Sequence, residues 1–222
     1  MQPRTIAISD IHAHSIALEA LIESVGVQQT DTFVFLGDYI DRGPDSKGVI
    51  EQVIQLADRC HVVPLMGNHE EMLLNARANN RSFETWMSNG GDAALRSYGT
   101  TDDLDCIPQK HIDFFQGLRR FHESEEHFFI HANYAPNWRL EEHDSNTALW
   151  MSLNDIPGPH YSGKIAVLGH TPQPEGRILD LGHLICIDTG CGFGGFLTAL
   201  DLTNGAIWQV DEQGRETTAR NG

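Results

Sequence analysis

The 222-residue chain is long enough for one large domain or two small ones, with an apolar core that needs no covalent staples. Its 31 acidic residues against 15 Lys and Arg give a formal charge of −16, the opposite of the basic footprint that nucleic acid or an anionic membrane surface requires. No apolar run approaches the roughly 18 residues of a membrane span, the N-terminal stretch turns acidic by Asp10, too soon for a secretory leader, and Cys60, Cys106, Cys186 and Cys191 form no CxxC pair, so a cytoplasmic location with reduced thiols is expected.

No repeat, low-complexity tract or linker interrupts the chain, and a single domain over residues 1–222 is expected. Residues 5–9 read as a short buried strand. Residues 15–26 carry Ile16, Leu18, Leu21, Ile22 and Val25 at helical spacing, with Gly26 suited to end the helix. A second strand at 33–36, a helix over 45–58 and a third strand over 60–66 come next. Helices are expected at 70–80 and 82–98, broken near Asn89-Gly90-Gly91, and again at 108–118. The second half reads as strands at 128–130, 165–168, 184–187, 196–202 and 206–210. Glu123 to Glu126 suits a hairpin tip, and the polar tail from about Asp211 is expected to fray. Trp86, Trp138, Trp150 and Trp208 read as core or packing aromatics. The pattern, helix–strand alternation first and hairpins later, predicts an α/β fold with mixed sheets.

The chemistry gathers at the ends of the apolar runs. The first strand leads to Asp10 and His12, the second to Asp38, the third to Asn68 and His69, the strand at 128–130 to His131 and that at 165–168 to His170. Five strands thus end in metal-ligand types at their C-terminal side, where sites assemble in α/β sheets. Gly37, Gly67 and Gly169 stand just before three of them, allowing close backbone approach. The chain also holds twelve histidines. Sorted by ligand type, Asp10, His12 and Asp38 suit one divalent cation and Asn68, His131 and His170 a second; a carboxylate has two oxygens, so one Asp can bridge both. Oxygen and imidazole donors without thiolate suit manganese, iron or zinc. Two such ions ~3.5–4 Å apart clamp a phosphoryl group for in-line attack. His14 reads as a plain loop residue, Asp188 as a structural hydrogen-bonding group and Cys191 as a buried thiol.

Ser9-Asp10-Ile11-His12, Gly37-Asp38-Tyr39-Ile40-Asp41-Arg42-Gly43, Gly67-Asn68-His69-Glu70, the lone His131 and Gly169-His170 resemble the signature of the phosphoprotein phosphatase family of calcineurin-like metallophosphoesterases. The segment 83–99 is similar to bacterial and phage serine/threonine protein phosphatases, while residues 187–195 also resemble diadenosine tetraphosphate hydrolases. The resemblance implies a four-layer sandwich of two mixed β-sheets flanked by helices. It also implies a phosphomonoester hydrolase in which a metal-bridging hydroxide attacks phosphorus. Asp10 and His12 would hold the first ion, Asp38 bridge, and Asn68, His131 and His170 hold the second. His69 would be the general acid, Asp41 would orient its ring, and Arg42 and Asn68 would bind phosphate. The partner would be a phosphorylated protein or a small phosphomonoester; oligomeric state is left open.

The departures bear on substrate. Ser9 and Ala13 stand where the family usually has Gly, a change ligation tolerates. Met66 and Ser152 stand where protein phosphatases of the family carry arginines. Two of three phosphate-binding arginines are therefore missing, which leaves serine/threonine against tyrosine preference open and favours phosphotyrosine or a small phosphomonoester. Two alternatives stand beside this reading: a dinucleoside polyphosphate hydrolase, and a non-catalytic phosphate-binding regulatory module.

Overall fold

The structure, a computed structural model, describes residues 3–217, the side chain of Pro174 excepted. The chain opens with β1 (Thr5–Ile8), α1 (Ser15–Val25), β2 (Thr32–Phe35), α2 (Ser46–Leu56) and β3 (His61–Pro64). α1 buries Ala17, Leu18, Leu21, Ile22 and Val25 and stops at Gly26, whose left-handed backbone (φ 64°) lets its N–H reach back to Ile22 and Glu23. Asp45 caps α2 by accepting from Gly48 N at 2.9 Å, and it also accepts from Ser15 Oγ at 2.7 Å, tying the two helices together.

Next come α3 (Asn68–Ala76), α4 (Asn80–Trp86), a π-helical turn (Met87–Gly91), α5 (Asp92–Ser97) and α6 (Gln109–Gln116). The expected break at Asn89-Gly90-Gly91 is this turn. Gly90 takes φ 105°, and a Cβ there would strike the backbone N and side chain of Arg42. The remaining strands are β4 (Phe121–Glu123), β5 (His127–Ile130), β6 (Ile165–Leu168), β7 (Leu179–Asp180), β8 (Leu184–Cys186), β9 (Phe196–Asp201) and β10 (Ile207–Asp211).

Two five-stranded mixed sheets result, in the orders β10-β9-β1-β2-β3 and β4-β5-β6-β8-β7. β1, β2 and β3 run parallel in the first; β5, β6 and β8 run parallel in the second. Strand alternation sorts the core. Ile6, Ile8, Phe33 and Phe35 face the helices of the first half, while Ala7, Val34 and Leu36 meet Phe129, Val167 and Ile185 between the sheets. Phe128, Ile130 and Leu168 face outward from the second sheet. That outer face is covered by the connection between β5 and β6, which supplies Leu140, Ala148 and Leu149 from short helical turns and Tyr134 and Leu153 from the loops beside them. The α/β sandwich of two mixed sheets flanked by helices is the expected fold class.

β4 and β7 escaped the sequence reading; the first pairs with β5 around the expected hairpin tip. Two expectations need correction. Residues 211–217 do not fray: Asp211 Oδ1 accepts from the backbone N–H groups of Gln213 and Arg215, closing a turn, and Val210 bridges Glu216; residues 218–222 lie outside the described residues. Trp138 and Trp150 are not core aromatics but stand 47% and 38% exposed on the β5–β6 connection, whereas Trp86 is fully buried. Among the described residues no helix is long and apolar enough to cross a membrane.

Candidate metal centre

The C-terminal ends of the parallel strands of both sheets meet. Gly169 N donates to His131 O at 2.9 Å, joining the ends of β5 and β6. His170 N donates to both carboxylate oxygens of Asp10, at 3.1 and 3.0 Å, linking the second sheet to the first. The glycines before the ligands are there for closeness: a Cβ on Gly67 would collide with Asp38 and one on Gly169 with Asp10.

Asp38 lies at the middle. Its Oδ2 is 3.6 Å from His12 Nε2, its Oδ1 is 3.5 Å from His131 Nε2, and Oδ1 also accepts from His69 N at 3.1 Å. Two groups of donor atoms share it: His12, Asp38 and His69 within 4.8 Å of one another, and Asp38, His131 and His170 likewise. The Asn68 side-chain amide lies 3.0 Å from His131 Nε2 and 3.1 Å from His170 Nδ1, joining the second group; facing these lone pairs and the Asp38 carboxylate its N–H₂ donates, and ligation would turn its Oδ1 inward. Asp10 is buried beside these groups, with its carboxylate on His170 N, and is not among the mutually close donors.

The donor set fits cations. Three imidazoles each spend one nitrogen on a backbone carbonyl: His12 Nδ1 on Ile40 O, His131 Nδ1 on Leu36 O and His170 Nε2 on Trp150 O. The other nitrogen keeps its lone pair for the centre, the usual arrangement of a ligating histidine. Burial depresses all three, His131 down to about 4, so the rings are neutral, as ligation requires. Burial works against ionisation of Asp38, but the facing imidazoles, His131 foremost, outweigh it and hold the carboxyl below its ordinary range. Asp10 goes the other way, raised by burial and then by the carboxylates of Asp188 and Asp38. Carboxylates and imidazole lone pairs packed together, with the Arg42 guanidinium reaching only His12 at their edge, are costly unless a cation neutralises them.

The backbone is strained at the same place. Seven described non-glycine residues have positive φ, and five of them are His12, Asp38, Asp41, Arg42 and His170. Such strain persists only where surrounding structure over-determines it, and it gathers at functional sites.

His69 Nδ1 lies 2.7 Å from Asp41 Oδ2, and both are buried. Burial pulls His69 down, but the Asp38 and Asp41 carboxylates outweigh it and raise its pKa, favouring the imidazolium. Arg42 is exposed; its Nη1 donates to His12 Nε2 at 2.7 Å and its guanidinium lies 4.4 Å from the ring centroid of Phe193. Met66 is half-buried and packs against the apolar clusters on both sides of it, while Ser152 is half-buried with its carbonyl accepting from Asn133 Nδ2.

His14 bonds Ile11 O and lies 3.5 Å from Glu212, outside both groups. Asp188 Oδ1 accepts from Gly190 N at 2.9 Å, and burial pushes its carboxyl up to about 7. Cys191 is fully buried.

The sequence reading missed two residues. Glu70 is buried and accepts from the backbone N–H groups of Asp38, Tyr39, Ile40 and Gly67, so it holds the loop that carries Asp38, Asp41 and Arg42. Its place in the Gly67-Asn68-His69-Glu70 motif was the available signal. Phe193 is 66% exposed beside Arg42, and its flanking glycines, Gly192 and Gly194, were the signal there.

The chain belongs to the calcineurin-like phosphoesterase family, whose model matches residues 3–194. It is 32% identical over 200 residues to serine/threonine-protein phosphatase 1 of Salmonella typhimurium, covering 86% of this chain and 88% of that one. It is 30% identical over 217 residues to the asymmetrical bis(5′-nucleosyl)-tetraphosphatase PrpE of Oceanobacillus iheyensis, covering 86% of each. In fold it is similar to the cold-active protein-tyrosine phosphatase of a psychrophilic Shewanella, with a TM-score of 0.69 at 17% identity over 96% of this chain and 79% of that one. The chain is thus a member of a metal-dependent phosphoesterase family, and the relatives it matches include one named for phosphoproteins and one named for bis(5′-nucleosyl) tetraphosphates.

Proposed function

We propose that this protein is a metal-dependent phosphomonoester hydrolase of the protein-phosphatase type, acting on a phosphorylated side chain or a small phosphomonoester. The observation that carries the reading is the buried His69–Asp41 pair, 2.7 Å apart, with His69 also within reach of Asp38 and His12. A phosphomonoester loses an alkoxide or phenoxide, and the alkoxide needs a proton from a positioned acid. His69, kept protonated by Asp38 and Asp41, supplies it from Nε2 while Asp41 holds Nδ1.

The donor set suits two divalent cations, manganese first, with iron or zinc as alternatives. Asp10 and His12 would hold one, Asn68, His131 and His170 the other, and Asp38 both. When bound, the cations supply a water-derived nucleophile and neutralise charge on the phosphoryl group. The chain's residues do the rest. Arg42 leaves His12 Nε2, whose lone pair it now shares, and turns its fork toward the phosphate oxygens. Asn68 offers its amide N–H to the same group. Trp86 and the backbone around Gly90 keep Asp41 and Arg42 at their angles.

A dinucleoside polyphosphate is the second reading. The tetraphosphatase relative and the exposed ring of Phe193, a face on which a nucleobase can stack, favour it. The protein purified with manganese is to be assayed on phosphoserine, phosphothreonine and phosphotyrosine peptides, p-nitrophenyl phosphate and diadenosine tetraphosphate. The first reading expects kcat/KM on a phosphomonoester to exceed that on the dinucleotide by roughly tenfold or more. The reverse order makes the protein a tetraphosphatase. Binding of less than one manganese per chain, with no turnover, leaves a phosphate-binding module.

A further inference from the structure

One carboxylate beside the site has no part in proton transfer, phosphate binding or ligation. Glu71 lies three residues after Asn68 on α3. One of its oxygens accepts from Ser145 Oγ, and the other accepts from Trp150 Nε1 at 2.8 Å. Ser145 and Trp150 stand at the two ends of the π-helical turn Asn146–Trp150, so a single carboxylate clamps the turn at both ends. The carbonyl of Trp150 then accepts from His170 Nε2 at 3.1 Å. That bond leaves the lone pair of His170 Nδ1 facing the Asn68 side-chain amide, also at 3.1 Å. The circuit closes: Asn68 along α3 to Glu71, across to Trp150, and back through His170 to Asn68.

We infer that Glu71 is a positioning residue for the second cation, acting through Trp150 on the ring orientation of His170. The inference rests on the proposal that the centre holds two cations. An imidazole rotates about its Cβ–Cγ bond and exchanges tautomers unless its far nitrogen has a fixed acceptor. His12 and His131 take theirs from Ile40 and Leu36, in and beside the loop that Glu70 holds. His170 differs. Its acceptor comes from the last residue of a turn outside both sheets: Ala148 and Leu149 are buried and Ala132 N donates to Ala148 O at 2.9 Å, but Trp150 itself is 38% exposed, and beyond it the chain is tied by Leu153 N to Thr171 Oγ1 at 3.1 Å. Loss of Glu71 therefore loosens the carbonyl under one imidazole and leaves the other two in place. The second cation should weaken, and the first should not.

The test is calorimetric titration of manganese into the metal-stripped full chain, for wild type, Glu71→Ala, Glu71→Gln and Trp150→Phe, with melting temperatures alongside. Glu71→Ala should weaken one of the two binding events about tenfold, the low end for removing an outer partner of a ligand, and leave the other unchanged. Glu71→Gln should restore it, because its amide accepts from the Trp150 indole and donates to Ser145 Oγ. Trp150→Phe keeps the ring, loses only the indole N–H, and should weaken the same event. A lower melting temperature with both affinities unchanged means a merely structural role and overturns the inference, as does equal weakening of both events. Should Glu71→Ala fail to fold, wild-type affinities in Trp150→Phe overturn it alone. A wild-type chain that binds fewer than two ions sinks the two-cation reading itself, a result distinct from two normal events in every variant.

Discussion

Trp86 donates its indole N–H to both carboxylate oxygens of Asp41, at 3.1 and 2.9 Å, so the carboxylate that faces His69 cannot turn away. The tryptophan is fully buried at the end of α4, with Gly91 against its ring, where a Cβ would collide. A residue distant in sequence thereby fixes the angle of the His69–Asp41 pair.

Asp41→Asn keeps an oxygen for Trp86 but presents an amide N–H₂ to His69, which forces the imidazole into the other tautomer and removes a charge that raises its pKa. Turnover of alkyl phosphates should fall by about 10²-fold or more, with aryl phosphates spared because their leaving groups need less protonation. The sign of the pH effect comes from the raised His69. The acid works below its pKa and is lost as pH rises through it, so the variant's basic limb should move to lower pH. The same raised pKa contributes stability that is present below the ordinary imidazole value of about 6.5 and lost as pH rises through the folded one. Paired pH–rate profiles of alkyl and aryl substrates check this; equal losses on both remove His69 from its role.

Glu70→Ala strips four backbone N–H groups of a buried acceptor. Unsatisfied buried donors cost ~1–3 kcal/mol each, and the loop can recover only some of them by opening to water. Stability should drop by about 3 kcal/mol, and manganese affinity should fall with it, because the loop carries Asp38. Denaturant melts of the metal-stripped protein read the first effect; an unchanged midpoint would show that the loop holds itself.

How much of the fold and the site was legible in the sequence depends on locality. The candidate ligands at the strand ends stand out in the sequence because strand, Gly and ligand type are consecutive, as in Leu36-Gly37-Asp38. The stop of α1 at Gly26 was readable for the same reason. Glu70 was seen only as part of a motif, since its four donors come from the loop 30 residues earlier and from Gly67. The positive φ of Asp41 and Arg42 has no sequence signal, because neither is Gly; the strain is imposed by Glu70, Ser46 and the approach of Gly90. Trp150 reads as core by hydrophobicity alone, yet it stands at the surface because its indole N–H and its carbonyl both have partners, Glu71 and His170.

Asp38→Asn tests the shared ligand. Both donor groups include this carboxylate, and an amide would present an N–H₂ to one imidazole lone pair while giving up the charge that offsets a cation. Both manganese affinities should fall together, in contrast to the selective effect expected at Glu71. Turnover of p-nitrophenyl phosphate should drop by about 10³-fold. Elemental analysis after gel filtration in manganese, with the fold checked by circular dichroism, makes the comparison; a folded variant with wild-type metal content and rate removes Asp38 from the centre.

Phe193→Ala separates the two substrate readings at the mouth of the site. The Phe193 ring lies under the Arg42 guanidinium at 4.4 Å and is otherwise mostly open to water. An exposed cation–π contact is worth about 0.5–1 kcal/mol, or two- to fivefold in an equilibrium constant. If Phe193 serves only to steady Arg42, its loss should raise KM by that modest factor for every substrate alike, phosphoserine peptide and dinucleotide included. If its open face also receives an aromatic group, the penalty should be larger for p-nitrophenyl phosphate and phosphotyrosine, and largest for diadenosine tetraphosphate, because base stacking adds ~1–3 kcal/mol that an alkyl phosphate never had. The ratio of KM changes between phosphoserine and dinucleotide therefore reads stacking directly, with the common effect on Arg42 cancelling. A ratio near one keeps the site a general phosphomonoesterase with an arginine rest; a ratio of about tenfold or more makes Phe193 a specificity element for aryl and nucleoside phosphates.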